Sequence, residues 1–222
     1  MNQQNAFAEF AQAEFIVESE IAAHGIAKKA NAIIRKTSRI ETRRAKTEAV
    51  LLEILPTPME MGTSYHVISH GDVDALSYLM HLCKSHAFET VLISTWCMAM
   101  PDLEWLRQQI ENGRIGRIDF CLGEIFPSQY LDEYLTCQAM VELGDATLKI
   151  ARNHAKVMAG ASPRDNIWFA IESSSNVNTN PRIEQTAVHM SRELHDFYRD
   201  FYAGIQSIDG ARYVKPKRRT AP

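Results

Sequence analysis

The chain has 222 residues, 45% of them hydrophobic and 23% charged, with a net charge of -3; these proportions suit one well-buried globular domain with an extension and exclude a fibrous or low-complexity protein. No apolar run approaches the roughly 20 residues of a spanning helix, and the opening stretch MNQQNAFAEFAQAEF carries acids and glutamines where a signal peptide has a basic start and an apolar centre, so a cytoplasmic protein with no membrane partner is expected. Cys83, Cys97, Cys121 and Cys137 are too widely spaced for a zinc or redox motif, and they are expected to be reduced core thiols.

From Ala6 to about Leu55 there is no proline and only Gly25, while Phe7, Phe10, Ile16, Ile21, Ile33, Ile34, Ile40, Val50 and Leu51 recur at roughly helical spacing. Residues 1–55 are therefore read as a helical, basic N-terminal extension, stopped at Pro56-Thr57-Pro58 because proline lacks the amide and clashes with the preceding turn. Beyond that boundary the texture changes. Tyr65 to Ser69 reads as a strand, Val73 to Cys83 as an amphipathic helix and Thr90 to Trp96 as a second strand. Pro101 then opens a helix that ends at Asn112-Gly113. Arg117 to Leu122 is a third strand and Ser128 to Leu143 a helix. Ala146 to Ala151 and Ile167 to Ile171 are two more strands, separated by a turn at Gly160-Ala161-Ser162-Pro163. His189 and His195 fall on a C-terminal helix with Leu194, Phe197, Phe201 and Tyr202. Trp96, Trp105 and Trp168 are expected in the core, two of them on or beside strands. Strands alternating with helices predict a layered α-β-α domain with a mixed sheet over 59–208, followed by a flexible basic tail, 209–222.

Charge is unevenly distributed. Residues 27–46 hold Lys28, Lys29, Arg35, Lys36, Arg39, Arg43, Arg44 and Lys46 against Glu41 alone, and 211–222 add Arg212, Lys215, Lys217, Arg218 and Arg219 with no acid. The rest of the chain has 11 bases against 26 acids. An acidic body with two basic appendages fits a polyanion gripped by its extremities, and DNA or RNA is the expected partner.

The chemistry-bearing stretches are Asn153-His154-Ala155-Lys156, then Glu172-Ser173-Ser174-Ser175-Asn176, then Arg182-Ile183-Glu184. In an extended strand residues two apart share a face, so His154 and Lys156 are expected to project together, one as nucleophile and one as phosphate clamp. A histidine that attacks phosphorus needs one nitrogen unprotonated and the ring oriented through the other, a task suited to the carboxylate of Glu184. The phosphoryl oxygens need donors that do not compete as nucleophiles, which Lys156, Ser174 and Asn176 supply. Arg182 could reach a phosphate or pair with Glu184. No metal or cofactor is required.

His154-x-Lys156 followed by Ser173-Ser174-x-Asn176 and Glu184 resembles the signature of the phospholipase D superfamily, most of all its small bacterial nucleases with a single copy of the motif. Ser94 to Asp102 resembles the strand and loop that enter the first long helix of those nucleases. Segments such as Ser69-His70-Gly71-Asp72-Val73-Asp74 and Gly123-Glu124-Ile125-Phe126 also resemble uncharacterised phage and prophage proteins. The resemblance implies a phosphodiesterase in which His154 forms a covalent phosphohistidine and a second histidine protonates the leaving oxygen. With one motif per chain, that second histidine comes from an identical subunit, which implies a homodimer with the site astride its twofold axis. Two positions depart from the family pattern: Ala161 stands where an aspartate is usual, and Ser173 replaces the first glycine. A catalytically inactive, phage-derived nucleic-acid-binding protein is the rival reading. His70, Asp72 and Asp74 resemble the first motif of the DHH phosphoesterases, a manganese-binding pattern, but the later Asp-His-His is absent. The same residues also read as a strand-to-helix turn in which Asp72 or Asp74 caps the helix beginning near Ala75.

Overall fold

The computed structural model describes residues 39–70, 73–177 and 182–208, and only the backbone of 39–45. A seven-stranded mixed sheet lies at its centre, with helices on both faces. In chain order the elements are α1 (Arg39–Ile54), β1 (Ser64–Ser69), α2 (Ala75–Cys83), β2 (Phe88–Thr95), α3 (Met100–Glu111), β3 (Ile115–Gly123), α4 (Phe126–Gln129), α5 (Leu131–Glu142), β4 (Ala146–Ala151), β5 (Val157–Ser162), β6 (Ile167–Ser173), β7 (Glu184–His189) and α6 (Arg192–Ala203). Across the sheet the order is β1-β7-β6-β5-β2-β3-β4. The strands β2, β3 and β4 are parallel, as crossovers through helices α3 and α5 require. The remaining neighbours are antiparallel.

Period-two alternation sorts the strands into two cores. Val91, Ile93, Ile118, Phe120, Leu122 and Met158 pack with α2, α3 and α5 on one face. Leu92, Cys121, Val157 and Ala159 turn to the other face, where Tyr202 of α6 closes over them. Helix α2 is buried along its whole length, which accounts for its nearly continuous apolar sequence. Asp74 caps its start, Oδ1 accepting from the Ser77 amide at 3.0 Å and the Ser77 hydroxyl at 2.7 Å. The helical reading of residues 1–55 extends to described residues only as α1, whose Leu51 joins the core of the domain, as do Leu55 and Met59. The chain before residue 39, with Arg35 and Lys36, and the tail from 209 lie outside the described residues.

The structure corrects the expected elements in three places. The segment read as a turn, Gly160 to Pro163, is mostly strand β5, and the turn is the short 3-10 stretch Pro163–Asp165 closed by Asn166 at φ 57, a left-handed conformation that asparagine tolerates. The low strand propensity of Ala159-Gly160-Ala161 hides β5 in the sequence. The glycine is required because a Cβ at Gly160 would lie 2.5 Å from Cε1 of Phe169 on β6. Strand β7 is likewise absent from the expected elements, and His189 ends it rather than sitting on the C-terminal helix. The single helix expected from Ser128 to Leu143 is two, broken at Tyr130.

All four cysteines are free and buried, and burial pushes Cys83 and Cys137 up to about 12 and Cys121 to about 11. Burial also holds His195 of α6 below its ordinary 6.5, against the opposing hydrogen bond and charge of Asp196. The unfolded chain takes up this proton near pH 6.5 and the folded chain resists it, so stability falls as pH drops below 6.5. Chemical unfolding at pH 7.5 and 5.5 should show that loss, and His195→Leu should reduce the slope without abolishing it, because His86 is shifted in the same direction by burial.

Among the described residues no helix is long and apolar enough to cross a membrane.

Candidate functional site

Three parallel strands, β2, β3 and β4, deliver their carboxyl ends to one edge of the sheet, the edge at which ligands commonly bind in open α/β sheets. Antiparallel pairing brings the start of β5, the end of β6, the start of β7 and the end of β1 to the same edge. Every chemistry-bearing stretch of the sequence meets there.

Asn153 organises the loop between β4 and β5. Its Nδ2 donates to Ser94 Oγ and to the Cys121 carbonyl, both at 2.9 Å, and its Oδ1 accepts from the Ala155 amide at 3.0 Å. His154 and Lys156 are in this irregular loop, not in a strand as expected, since β5 begins at Val157. They meet because Lys156 folds back: its Nζ donates to His154 Nδ1 at 2.9 Å and to the His154 carbonyl at 2.7 Å. His154 is exposed, its ring 5.5 Å from that of Trp96. Lys156 is half-buried, and burial holds its ammonium below the ordinary 10.5 while Cys97 and Glu184 act in the opposite sense.

The amide of Ser173 donates to the Lys156 carbonyl at 3.0 Å, tying the end of β6 to this loop. Ser174 comes next in the chain. Its hydroxyl donates to the Glu184 carboxylate and accepts from the Gln185 amide at 3.0 Å. Glu184, the first residue of β7, is buried; a carboxylate removed from water needs such partners. Asn176 is half-buried, with Oδ1 3.5 Å from the Thr95 hydroxyl. His154, Lys156, Ser174, Asn176 and Glu184 thus share one edge of the sheet.

Arg182 is exposed, two residues before β7. Arg39, Arg43 and Arg44 lie on α1. His70, exposed, comes directly after β1 at the site edge, since Ser69 pairs with Glu184. Of the other residues in the manganese-type pattern, Asp72 lies outside the described residues and Asp74 is occupied as a helix cap. Among the described residues no three His, Cys, Asp or Glu side chains are grouped to hold a metal.

Trp96 and Gly123 belong to the site although the sequence does not mark them for it. Trp96, expected in the core, is half-buried beside His154. Gly123 makes its placement possible: a Cβ there would lie 2.5 Å from Trp96 Cδ1, 2.9 Å from the Trp96 carbonyl oxygen and 3.2 Å from that of Asn153. Gly123→Ala should cost about 1–3 kcal/mol by overpacking and shift the loops carrying Trp96 and Asn153. The checks are a lowered unfolding midpoint and displaced imidazole NMR signals of His154.

No protein-family model and no curated protein matches the chain. Solved structures that resemble it include the polyphosphate kinase from Porphyromonas gingivalis, 14% identical over 68% of this chain and 27% of the kinase at a TM-score of 0.49. A second is TrmBL2, an archaeal chromatin protein with a novel mode of DNA binding, 9% identical over 91% of this chain and 68% of that protein at a TM-score of 0.44. The chain spans about a quarter of the kinase's length.

Proposed function

We propose that this chain is a phospholipase D-like phosphodiesterase, a cytoplasmic nuclease that hydrolyses DNA or RNA through a phosphohistidine on His154. The observation that carries the reading is the meeting of His154 and Lys156 with Ser174, Asn176 and Glu184 at one sheet edge, from three separated stretches of sequence.

In the first step an unprotonated imidazole nitrogen of His154 attacks phosphorus, an N–P bond forms, and the P–O bond to the leaving oxygen breaks. A second histidine supplies the proton that this oxygen takes. Water then attacks phosphorus, the N–P bond breaks, and the water proton returns to the second histidine. Lys156 now donates to Nδ1 of His154, so an incoming phosphate that draws the ammonium to its own oxygens also frees the ring to act as nucleophile. In this reading Lys156, Ser174 and the Asn176 amide meet the charge developing on the phosphoryl oxygens. Glu184 holds the Ser174 hydroxyl and favours the charged form of Lys156. The scheme uses no metal. The second histidine is supplied by an identical subunit, so the working unit is a homodimer.

Nucleic acid is favoured over lipid because the basic segments 27–46 and 211–222 suit a phosphate backbone. The test is cleavage of single- and double-stranded DNA and RNA in excess chelator, comparing the natural chain with His154→Ala. Binding of DNA by an intact dimer that cleaves none of these substrates would replace the nuclease with the inactive binder.

A further inference from the structure

Trp96 lies in the loop between β2 and α3, among neighbours that are taken into the fold. Thr95, Cys97 and Met98 are 0%, 3% and 0% exposed. The Thr95 hydroxyl donates to the Cys97 carbonyl at 3.0 Å, and the Ala99 amide donates to the Asp102 carboxylate of α3 at 2.9 Å, so both ends of the loop are fastened. Trp96, the bulkiest side chain of the loop, is only half-buried and belongs to neither hydrophobic core. The other two tryptophans are engaged elsewhere: Trp105 packs against the main core, and the ring of Trp168 lies under the Arg192 guanidinium, 5.0 Å from its centre.

A tryptophan left partly in water forgoes much of the burial that stabilises such a side chain. Its position is fixed all the same. A Cβ on Gly123 would stand 2.5 Å from Trp96 Cδ1, so the glycine lets the edge of the indole rest on the backbone of β3, and the Asn153 carbonyl of the loop that carries His154 closes over the same glycine. The indole and the His154 imidazole are 5.5 Å apart, centre to centre, with their planes at 52°. The two rings are neighbours, but the tilt means that the imidazole does not cover the indole face.

We infer that Trp96 is the platform on which a nucleobase stacks while the adjoining phosphate is presented to His154, which makes an unpaired strand the substrate of this site. The inference rests on the phosphodiesterase reading above and adds the choice of strand. In a duplex the bases stack on one another, whereas an unpaired base has a free face to lay on an aromatic ring. Every base has such a face, so the platform selects strand state and not sequence. An indole already held in place also loses little freedom when the base arrives.

The test is strand binding by the natural chain and by Trp96→Leu, read by fluorescence anisotropy. The probes are oligothymidine and oligouridine of about ten residues, a length within the site sizes of single-strand binders, an abasic strand of the same length and charge, and a duplex. All carry phosphorothioate linkages so that they stay whole. The natural chain should bind a base-bearing strand about tenfold or more tightly than the abasic strand, the difference that stacking supplies. Trp96→Leu should erase that difference and leave the abasic strand and the duplex bound as before. A second readout keeps Trp96 in place: with Trp105→Phe and Trp168→Phe, the remaining indole emission should be quenched by the base-bearing strand and not by the abasic one.

Equal affinity of the natural chain for strands with and without bases would overturn the platform. So would a Trp96→Leu chain of unchanged unfolding midpoint that loses affinity for all the probes alike, the mark of a residue that only shapes the loop. A natural chain that hydrolyses bis(p-nitrophenyl) phosphate yet binds no strand would also overturn it, leaving the phosphodiesterase reading intact. One that binds strands through Trp96 but hydrolyses no diester would keep the platform and overturn that reading. One that does neither would sink both.

Discussion

His154→Ala is expected to lower nucleic-acid cleavage by at least about 10³-fold, because removing a nucleophile forfeits the covalent route and leaves only the weaker contributions of binding and charge stabilisation. The substitution isolates chemistry from folding. His154 is exposed, on a loop fixed by Asn153 rather than by its own side chain, so stability should change by no more than about 0.5 kcal/mol. Strand binding should persist, since Lys156 and the basic segments remain. Trapping with acid during turnover should give an acid-labile phosphorylated protein from the natural chain and none from the variant. Equal cleavage by both proteins would remove His154 from the mechanism. Cleavage abolished by chelator would point to metal-dependent hydrolysis instead.

The largest stability effect is expected at Phe169→Ala, about 3–5 kcal/mol for a fully buried aromatic side chain, or roughly 6–20 °C in melting midpoint for a protein of this size. Phe169 is 0% exposed, its ring 4.9 Å from that of Phe88 at 74°, an edge-on pair between β6 and β2. It also fills the space above Gly160. The two positions should therefore be coupled. Gly160→Ala alone forces a methyl into the Phe169 ring and should cost about 1–3 kcal/mol, but in the Phe169→Ala background that methyl enters vacated space and should cost much less. A double-mutant cycle in urea measures the difference. Additivity would mean that the glycine serves the backbone of β5 and not the ring.

The elements that could be read from the sequence are those whose determinants are local. Val91-Leu92-Ile93 and Ile118 to Leu122 are apolar enough to declare β2 and β3, and Asn112-Gly113 marks the end of α3 by its own turn chemistry. A cap before Ala75 was legible because a short acidic side chain ahead of an apolar helix suits that place, but the choice between Asp72 and Asp74 was not, and the structure gives Asp74. His154, Lys156, Ser174, Asn176 and Glu184 were picked out by residue type as a candidate phosphate site, and the structure brings them to one edge of the sheet.

The remainder depended on neighbours distant in the chain. Strand β5 is built from Ala159, Gly160 and Ala161, residues that give no local strand signal; their small size is imposed by Phe169 and by central placement between β2 and β6. Strand β7 begins with Glu184, whose burial is tolerable only where the Ser174 hydroxyl satisfies it and Lys156 lies nearby. His154 and Lys156 meet through a loop that Asn153 fastens to β2 and β3, so strand alternation pointed to the right pair for the wrong reason. Sequence by itself determined the fold class and offered the candidate site residues, because periodicity and residue chemistry are written locally. Only the tertiary structure decided which strands flank the site and that Trp96 stands beside His154, because these depend on long-range packing and pairing that no short window of sequence contains.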